Sequence, residues 1–463
     1  MAKKKAVRPA RVSQAPPVSL PPPADTSLGN SDVQTTGRYI VIFKDGGDSA
    51  ASIRNTLSNK AGLSAMASSA DFEDGATAAQ SLDNAATIHF EHLGMAVVSG
   101  LDAATRLSAS TTDTNSPILR VEPEYIAYAM NPMPGGLSLD YIRGYRSGVN
   151  QLCDQLLAGD EEFFGSDLSA SLAAASFADT AQFTWGLQAT KVDTTPHDGQ
   201  GIKIAILDTG LNMAHPDFAG RAIVSRSFMA GISVHDVNGH GTHCAGTACG
   251  ARTPASGVRR YGVAHAAHLH VGKVFNNAAR PQAPTGVVIA GIEWAVSKGC
   301  RVASLSLGFP LNQKVDQFEV AIKRAATAGT LVVCAAGNNA QRPGNVGFVE
   351  PPANARNSVA VGAVDSNLRI APFSARSSTV VGIGGIVNIA APGVAVFSSY
   401  RSGHEKLPGT SMAAPHVAGI AALWSQATGD TGAALWNRLV QNALPLSAAS
   451  ADVGAGLIQA PQQ

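Results

Sequence analysis

From about residue 184 onward, short uninterrupted apolar runs alternate with helical stretches, and this rhythm constrains the fold more than any other feature of the chain. The runs are "IKIAILD" (202–208), "HLHVGKVF" (268–275), "RVASLSLG" (301–308), "TLVVCAAG" (330–337) and "SVAVGAV" (358–364). Helical patterns such as "GVVIAGIEWAVSKG" (286–299) and "VDQFEVAIKRAATAG" (315–329) separate them. Strands that are apolar on both faces need cover on both faces, so the expected class is α/β with a mostly parallel sheet between helices. In such sheets a site forms in the loops beyond the carboxyl ends of the strands. Those loops are where the chemistry is to be sought.

The first part of the chain has a different rhythm. Residues 1–36 read as a disordered, Pro-rich tail, basic at its start but lacking the apolar core of a signal peptide. "RYIVIFK" (38–44) reads as a strand, 50–68 as helical, 87–99 as a strand region, "DAATRLSAS" (102–110) as a short helix and 118–130 as extended. This β-α-β-α-β order predicts a small ferredoxin-like α+β domain over 37–130. Residues 131–183 read as a linker with one amphipathic helix carrying Leu139, Ile142, Val149, Leu152 and Leu156. The large α/β unit then spans 184–463.

A net charge of +1 leaves no basic footprint for nucleic acid. No apolar run is long enough for a membrane span. The 5 cysteines are odd in number and lack CxxC spacing, which argues against a disulfide framework or zinc site and for buried thiols. Cysteine usage and the missing signal sequence lean toward a cytoplasmic location over export by another route. The chain is expected to work as a monomer.

Four motifs carry chemistry. "IAILDTG" (204–210) sets Asp208 at the rim of the sheet, and "NGHGTHCAG" (238–246) opens a helix with His240 and His243. Nothing at helical spacing completes a metal site around the two histidines. "GTSMAAPHVAG" (409–419) puts Ser411 at a helix start. A serine hydroxyl becomes a nucleophile only beside a base that a third group orients. Asp208, His240 and Ser411 can fill those three roles, in the chain order Asp, His, Ser. In "VVCAAGNN" (332–339), the Asn338 amide can donate to an oxyanion together with the Ser411 backbone N–H. An esterase of the α/β-hydrolase type would carry a G-x-S-x-G elbow and Ser before Asp and His, and neither arrangement is present.

Together, "DTG" (208–210), "HGTHCAGT" (240–247), "ASLSLG" (303–308), "AAGNN" (335–339) and "GTSMAAPHVAG" resemble the subtilisin-like serine proteases (subtilases, peptidase family S8) over roughly 185–445. The resemblance is greatest to the proteinase K branch, and residues 38–130 resemble the inhibitory propeptide of many subtilisins. It implies a subtilisin-like three-layer fold and a serine endopeptidase acting on protein or peptide substrates through an acyl-enzyme. Ser411 would attack, His240 would serve as base and then acid, Asp208 would orient it, Asn338 would help bind the oxyanion, and His243 would be structural. No cofactor is needed for that chemistry. The propeptide would act as an intramolecular inhibitor, giving a zymogen processed near Met130. Residues 131–183 intervene before the catalytic unit, so cleavage at 130, within 165–183, or both is open.

The same resemblance places substrate as an added strand along "SLSLG" (304–308), using Ser306, Leu307 and Gly308. Ala335, Ala336 and Gly337 would line one side of the first specificity pocket. On the other wall, just before "PPANA" (351–355), Glu350 falls where the family usually has a small residue; it reads either as a solvated loop group or as a selector of Lys or Arg. Cys244 would be a buried free thiol, and Lys273 and His270 are expected to be exposed or at a strand edge. Asp217 ("HPDF") and Asp365 ("GAVDSN") fall where relatives place carboxylates for calcium, but "ACGARTPASGVRRYG" (248–262) lacks acidic partners. That leaves room for one structural calcium near Asp365. The competing reading is a catalytically inactive scaffold that binds peptides, against which stand all four intact catalytic positions.

Overall fold

In the computed structural model, which describes residues 34–45, 50–63, 66–69, 87–130, 176–378 and 385–463, the first elements form a small α+β module. The basic tail and the amphipathic helix expected from Leu139 to Leu156 lie outside the described residues. The module comprises β1 (Thr35–Phe43), α1 (Ala50–Ala61), β2 (Met66–Ser68), β3 (Thr87–Phe90), β4 (Met95–Ser99), α2 (Leu101–Ala109) and β5 (Ile118–Ala129). Its strands run in the order β5-β1-β4-β3-β2. Neighbours are antiparallel except β2 and β3.

Period-two alternation divides the module's apolar residues between two faces. Val41, Phe43, Ala96 and Val98 pack against Ile53 and Leu57 of α1 and Leu107 of α2. Their neighbours Ile40, Ile42, Met95 and Val97 point the other way and are also buried. A Cβ added to Gly286 would fall 2.8 Å from Val97, so this second face lies on the helix Thr285–Ser297 of the large unit. A sheet apolar on both faces cannot leave one in water at roughly 1.5–3 kcal/mol per large side chain. The module is therefore built to be docked.

The apolar runs of the large unit form one parallel sheet. Its strands are β6 (Lys203–Asp208), β7 (Val224–Ser227), β8 (His268–Lys273), β10 (Val302–Leu305), β12 (Leu331–Ala335), β13 (Ser358–Val364) and β14 (Ile389–Pro392), in the order β14-β13-β12-β10-β6-β8-β7. Two short strands, β9 (Gln282–Pro284) and β11 (Leu307–Gly308), stand apart from it. Ile204 and Ile206 share a core with the helices His240–Cys249 and Thr410–Thr428. Leu207 points to the opposite face, against Gly291 of the helix Thr285–Ser297. The sheet thus lies between two helical layers, the covered parallel sheet that the apolar runs required.

One expectation fails in the sheet. Lys273 and His270 are buried rather than exposed or at an edge. The reason is β7, whose "VSRS" carries no apolar run, yet it pairs with β8 along Val224–Ser227 and turns that strand into an interior one. Lys273 Nζ then donates to the Thr209 and His235 carbonyls. Burial lowers its pKa. Cys244, Cys249, Cys300 and Cys334 are free and buried; Cys153 lies outside the described residues. Among the described residues, no helix is long and apolar enough to cross a membrane.

Candidate active site

Asp208 is the last residue of β6, where the strand leaves the sheet, and His240 is the first residue of its helix. Both are buried, and Asp208 Oδ1 lies 2.8 Å from His240 Nδ1. The same oxygen accepts the Thr209 N–H at 2.7 Å. Burial alone would lower the imidazole pKa, but the Asp208 carboxylate beside it holds the value well above the ordinary 6.5. His240 Nε2 is buried without a hydrogen-bond partner, so the nitrogen that would take a proton is free.

The loops bearing Asp208 and His240 are tied together by Asp236, a residue the sequence did not single out. Its buried carboxylate accepts from Thr209 Oγ1 at 2.9 Å, from the Gly239 N–H at 2.8 Å, and from Thr242 N–H and Oγ1 at 2.8 and 2.7 Å. A carboxylate among the first-turn N–H groups of a helix is favourable in both hydrogen bonding and dipole interaction. His243, one turn further on, reaches the Val396 carbonyl at 2.9 Å; burial pushes its pKa down to about 3, which suits a neutral structural histidine.

Ser411 is the second residue of the helix Thr410–Thr428. Pro415 stands four residues later and has no N–H, so the Ser411 carbonyl loses its i+4 helical donor. That carbonyl instead accepts Ser306 Oγ at 3.0 Å and the Cys244 thiol at 3.4 Å. The proline, which would break a helix elsewhere, here anchors the serine turn to the strand region beside it. Cys244 is a buried thiol whose pKa is raised by burial, and its sulfur lies 3.9 Å from His240 Nδ1.

Asn338 is held from one side. Its Oδ1 accepts both the Thr410 N–H and Thr410 Oγ1 at 2.9 Å. This fixes the amide so that Nδ2 faces outward, 3.3 Å from the carbonyl oxygen of Met130. Ser411 Oγ is 2.9 Å from that same oxygen. The Ser411 backbone N–H makes no hydrogen bond to it. Oxyanion donors are aimed at where the oxygen moves in the tetrahedral intermediate, so a planar carbonyl need not engage all of them.

Met130 arrives along a strand clamp. β5 pairs antiparallel with β11 through Leu307↔Ala129 and Gly308↔Tyr128, and the Met130 N–H meets the Ser306 carbonyl at 3.4 Å. On its other side β5 pairs with β9 through Ala127↔Ala283 and Tyr128↔Gln282. The sequence pointed to the "SLSLG" side of this clamp and missed β9, whose three residues are too few to show a strand period. The Met130 side chain packs against Gly308, where an added Cβ would collide with both Met130 Cε and Glu350 Oε2. Glu350 is only 8% exposed, so the solvated-loop alternative does not hold. It sits beside Gly337, accepts Asn339 Nδ2 at 2.7 Å, and donates its own N–H to Ala336 at 2.9 Å. Burial pushes its carboxyl up to about 7.

The two carboxylates considered for calcium have other partners. Asp217 accepts from Ser256 N–H at 3.0 Å, Ser256 Oγ at 2.9 Å, Tyr261 Oη at 2.7 Å and His404 Nε2 at 2.8 Å. These hydrogen bonds outweigh burial and hold its pKa down near about 2. Asp365 Oδ1 accepts the Asn367 and Arg369 N–H groups at 2.9 Å and so closes a turn. Calcium needs six to eight oxygen ligands, and the N–H groups that point at these carboxylates supply none. Among the described residues, Asp365 belongs to no group of three or more His, Cys, Asp or Glu side chains whose ligand atoms converge.

A hydroxyl, a carboxylate-bound imidazole and a fixed amide at the carboxyl rim of a parallel sheet define a serine hydrolase. The sequence model described as the Subtilase family (peptidase S8) matches residues 199–458. Subtilisin DY from Bacillus licheniformis is 38% identical over 239 residues, 51% of this chain and 81% of that protein. Subtilisin Savinase from Lederbergia lenta is 41% identical over 247 residues, 52% of this chain and 84% of that one. Among solved structures, the S41 psychrophilic protease superposes with a TM-score of 0.52 at 31% identity, covering 61% of this chain and 99% of its own. The chain belongs to the subtilase family. It is a serine endopeptidase that acts on protein or peptide substrates.

Proposed function

We propose that Ser411, His240 and Asp208 are the catalytic triad, that Asn338 and the Ser411 N–H form the oxyanion hole, and that residues 37–130 are an intramolecular inhibitor cut from the chain after Met130. One observation carries this reading: the Met130 carbonyl oxygen lies 2.9 Å from Ser411 Oγ and 3.3 Å from Asn338 Nδ2, at the end of a strand clamped on both sides. Ser411 Oγ attacks the Met130 carbonyl carbon while its proton passes to His240 Nε2. Asp208 stabilises the imidazolium. The tetrahedral oxygen draws its negative charge toward the Asn338 amide and the helix start. His240 then protonates the leaving amine of Asn131, and water releases the Met130 carboxylate by the reverse relay. The module stays in the cleft as product, giving a restrained zymogen.

Docking contacts outside the cleft support the inhibitor role. The buried Glu124 carboxylate accepts the Gly286 N–H at 3.0 Å, and Glu122 accepts the Gln317 N–H at 3.1 Å. Each lies at the amino end of a helix of the large unit, where a carboxylate is favoured. Glu293 in turn accepts the His92 and Leu93 N–H groups at 2.8 and 2.9 Å. Within the family, "HGTHCAGT" with Cys244 beside the triad supports the proteinase K branch. Glu350 in the first pocket supports a preference for Lys or Arg before the cut bond. Amino-terminal sequencing of wild type beside Ser411→Ala tests the processing step. A new terminus at Asn131 that is lost in the variant is expected, and identical processing in both would exclude self-cleavage.

A further inference from the structure

We propose that Glu350 makes the first specificity pocket exchange its preference with pH. As a neutral carboxylic acid it accepts an unbranched apolar side chain such as Met130; as a carboxylate it selects Lys or Arg. The inference rests on the pocket assignment made above and adds its regulation.

The pocket as filled by Met130 has no provision for a negative charge. Glu350 lies between Gly308 and Gly337, with Met130 Cε and Glu350 Oε2 crowding the same face of Gly308. Its neighbours on each packed segment are the Gly308 backbone, Gly337, the Ala336 carbonyl, the Asn339 amide and the Met130 thioether. Among the described residues, none of these carries charge and no ion pair reaches the carboxyl. One amide donor compensates a buried carboxylate poorly. The carboxyl therefore holds its proton while a thioether methyl lies against it. An ammonium or guanidinium in the same space reverses the balance, because it supplies the missing opposite charge.

Linkage fixes the sign. A group held neutral by an apolar occupant must bind that occupant more weakly once it ionises, and a cation that favours ionisation must bind more tightly, each by the factor with which that occupant shifts the carboxyl's own equilibrium. Burial holds the carboxyl near about 7 with Met130 in place, whereas a solvated Glu titrates near about 4.3. The exchange falls in that interval. The chain's own Met130 is then held most firmly under acid conditions and released as pH rises, while basic substrates gain.

The test uses the processed enzyme and two peptides that differ only in having Lys or Met before the cut bond. The ratio of their kcat/KM values, Lys over Met, is followed across pH; the titration of His240 divides out of this ratio. Lys itself does not titrate until about pH 10.4. The expected result is a rise in the ratio of about tenfold or more, the equivalent of one unit of coupled pKa, and a flat ratio in Glu350→Gln. A flat ratio in wild type, or an equal rise in Glu350→Gln, overturns the proposal. A Lys preference that is constant with pH but lost in Glu350→Gln also overturns it while leaving the pocket assignment standing. Cleavage of neither peptide at any pH overturns the assignment and the exchange together.

Discussion

The hydroxyl of Ser411 points at the carbonyl of Met130, 2.9 Å away, and the Nε2 of His240 is left without a partner. A resting serine hydrolase would pair the hydroxyl with the imidazole. Here the chain's own main chain takes the hydroxyl's bond, as a bound substrate or product would. The energy for holding it there comes from elsewhere, from the two-sided strand pairing of β5 and the buried second face of the module.

Replacing Ser411 by Ala should remove the proposed nucleophile without disturbing the cleft, since among the described residues its hydroxyl hydrogen-bonds to the Met130 oxygen. We expect uncut chain and kcat lowered by about 10⁶-fold, a figure that itself comes from a subtilisin and is carried over. A fluorophosphonate probe should label the processed wild type and leave the variant unlabelled. Equal labelling of both would place the nucleophile elsewhere.

Asn338→Ala removes the proposed oxyanion donor and leaves the Thr410 N–H and hydroxyl without the Asn338 Oδ1 acceptor. kcat should fall by about 10²–10³-fold with KM little changed, again a value transferred from a subtilisin. A variant that raises KM instead would mean that Asn338 binds the ground state.

Asp208 raises the pKa of His240 well above 6.5. The base works only when neutral, so kcat/KM should climb with pH and its acid limb should fall above 6.5. Measurement in a Glu350→Gln background keeps the pocket from titrating alongside it. A limb at or below 6.5 would contradict the coupling to Asp208.

His89 in β3 is buried with neither ring nitrogen hydrogen-bonded, and burial lowers its pKa below 6.5. The unfolded chain then binds a proton that the folded module resists, so stability is lost as pH falls from 6.5 toward the lowered folded value. Melting of the uncut Ser411→Ala chain should show a Tm that drops on acidification. Adding His89→Leu should flatten that drop, and an unchanged slope would show that other groups carry it.

Glu124→Gln exchanges a buried carboxylate for an amide between Arg38, 2.7 Å away, and the Gly286 N–H. Hydrogen bonds to charged groups contribute about 1.5–3 kcal/mol each. The Gly286 amide of the uncut Ser411→Ala chain should therefore exchange its hydrogen about tenfold faster or more. Protection equal to that of the parent would show that the module docks without this contact.

What the sequence alone determined follows from short-range pattern and side-chain chemistry. Continuous apolar runs between helices required the covered parallel sheet, and Asp208, His240, Asn338 and Ser411 each stood directly after such a run or at a helix start. What only the tertiary structure decided are relationships between segments far apart in the chain. Asp236 and Lys273 bind the Asp208 and His240 loops, Thr410 sets the orientation of Asn338, and β9 closes the second side of the clamp. Glu122 and Glu124 were not singled out within the extended segment 118–130, and Lys273 read as an exposed or edge residue; Glu350 was open between two roles. Burial is a property of everything packed around a group, and three-residue strands such as β9 carry no period. The chemistry was therefore legible locally, while the environment that tunes it was settled by packing.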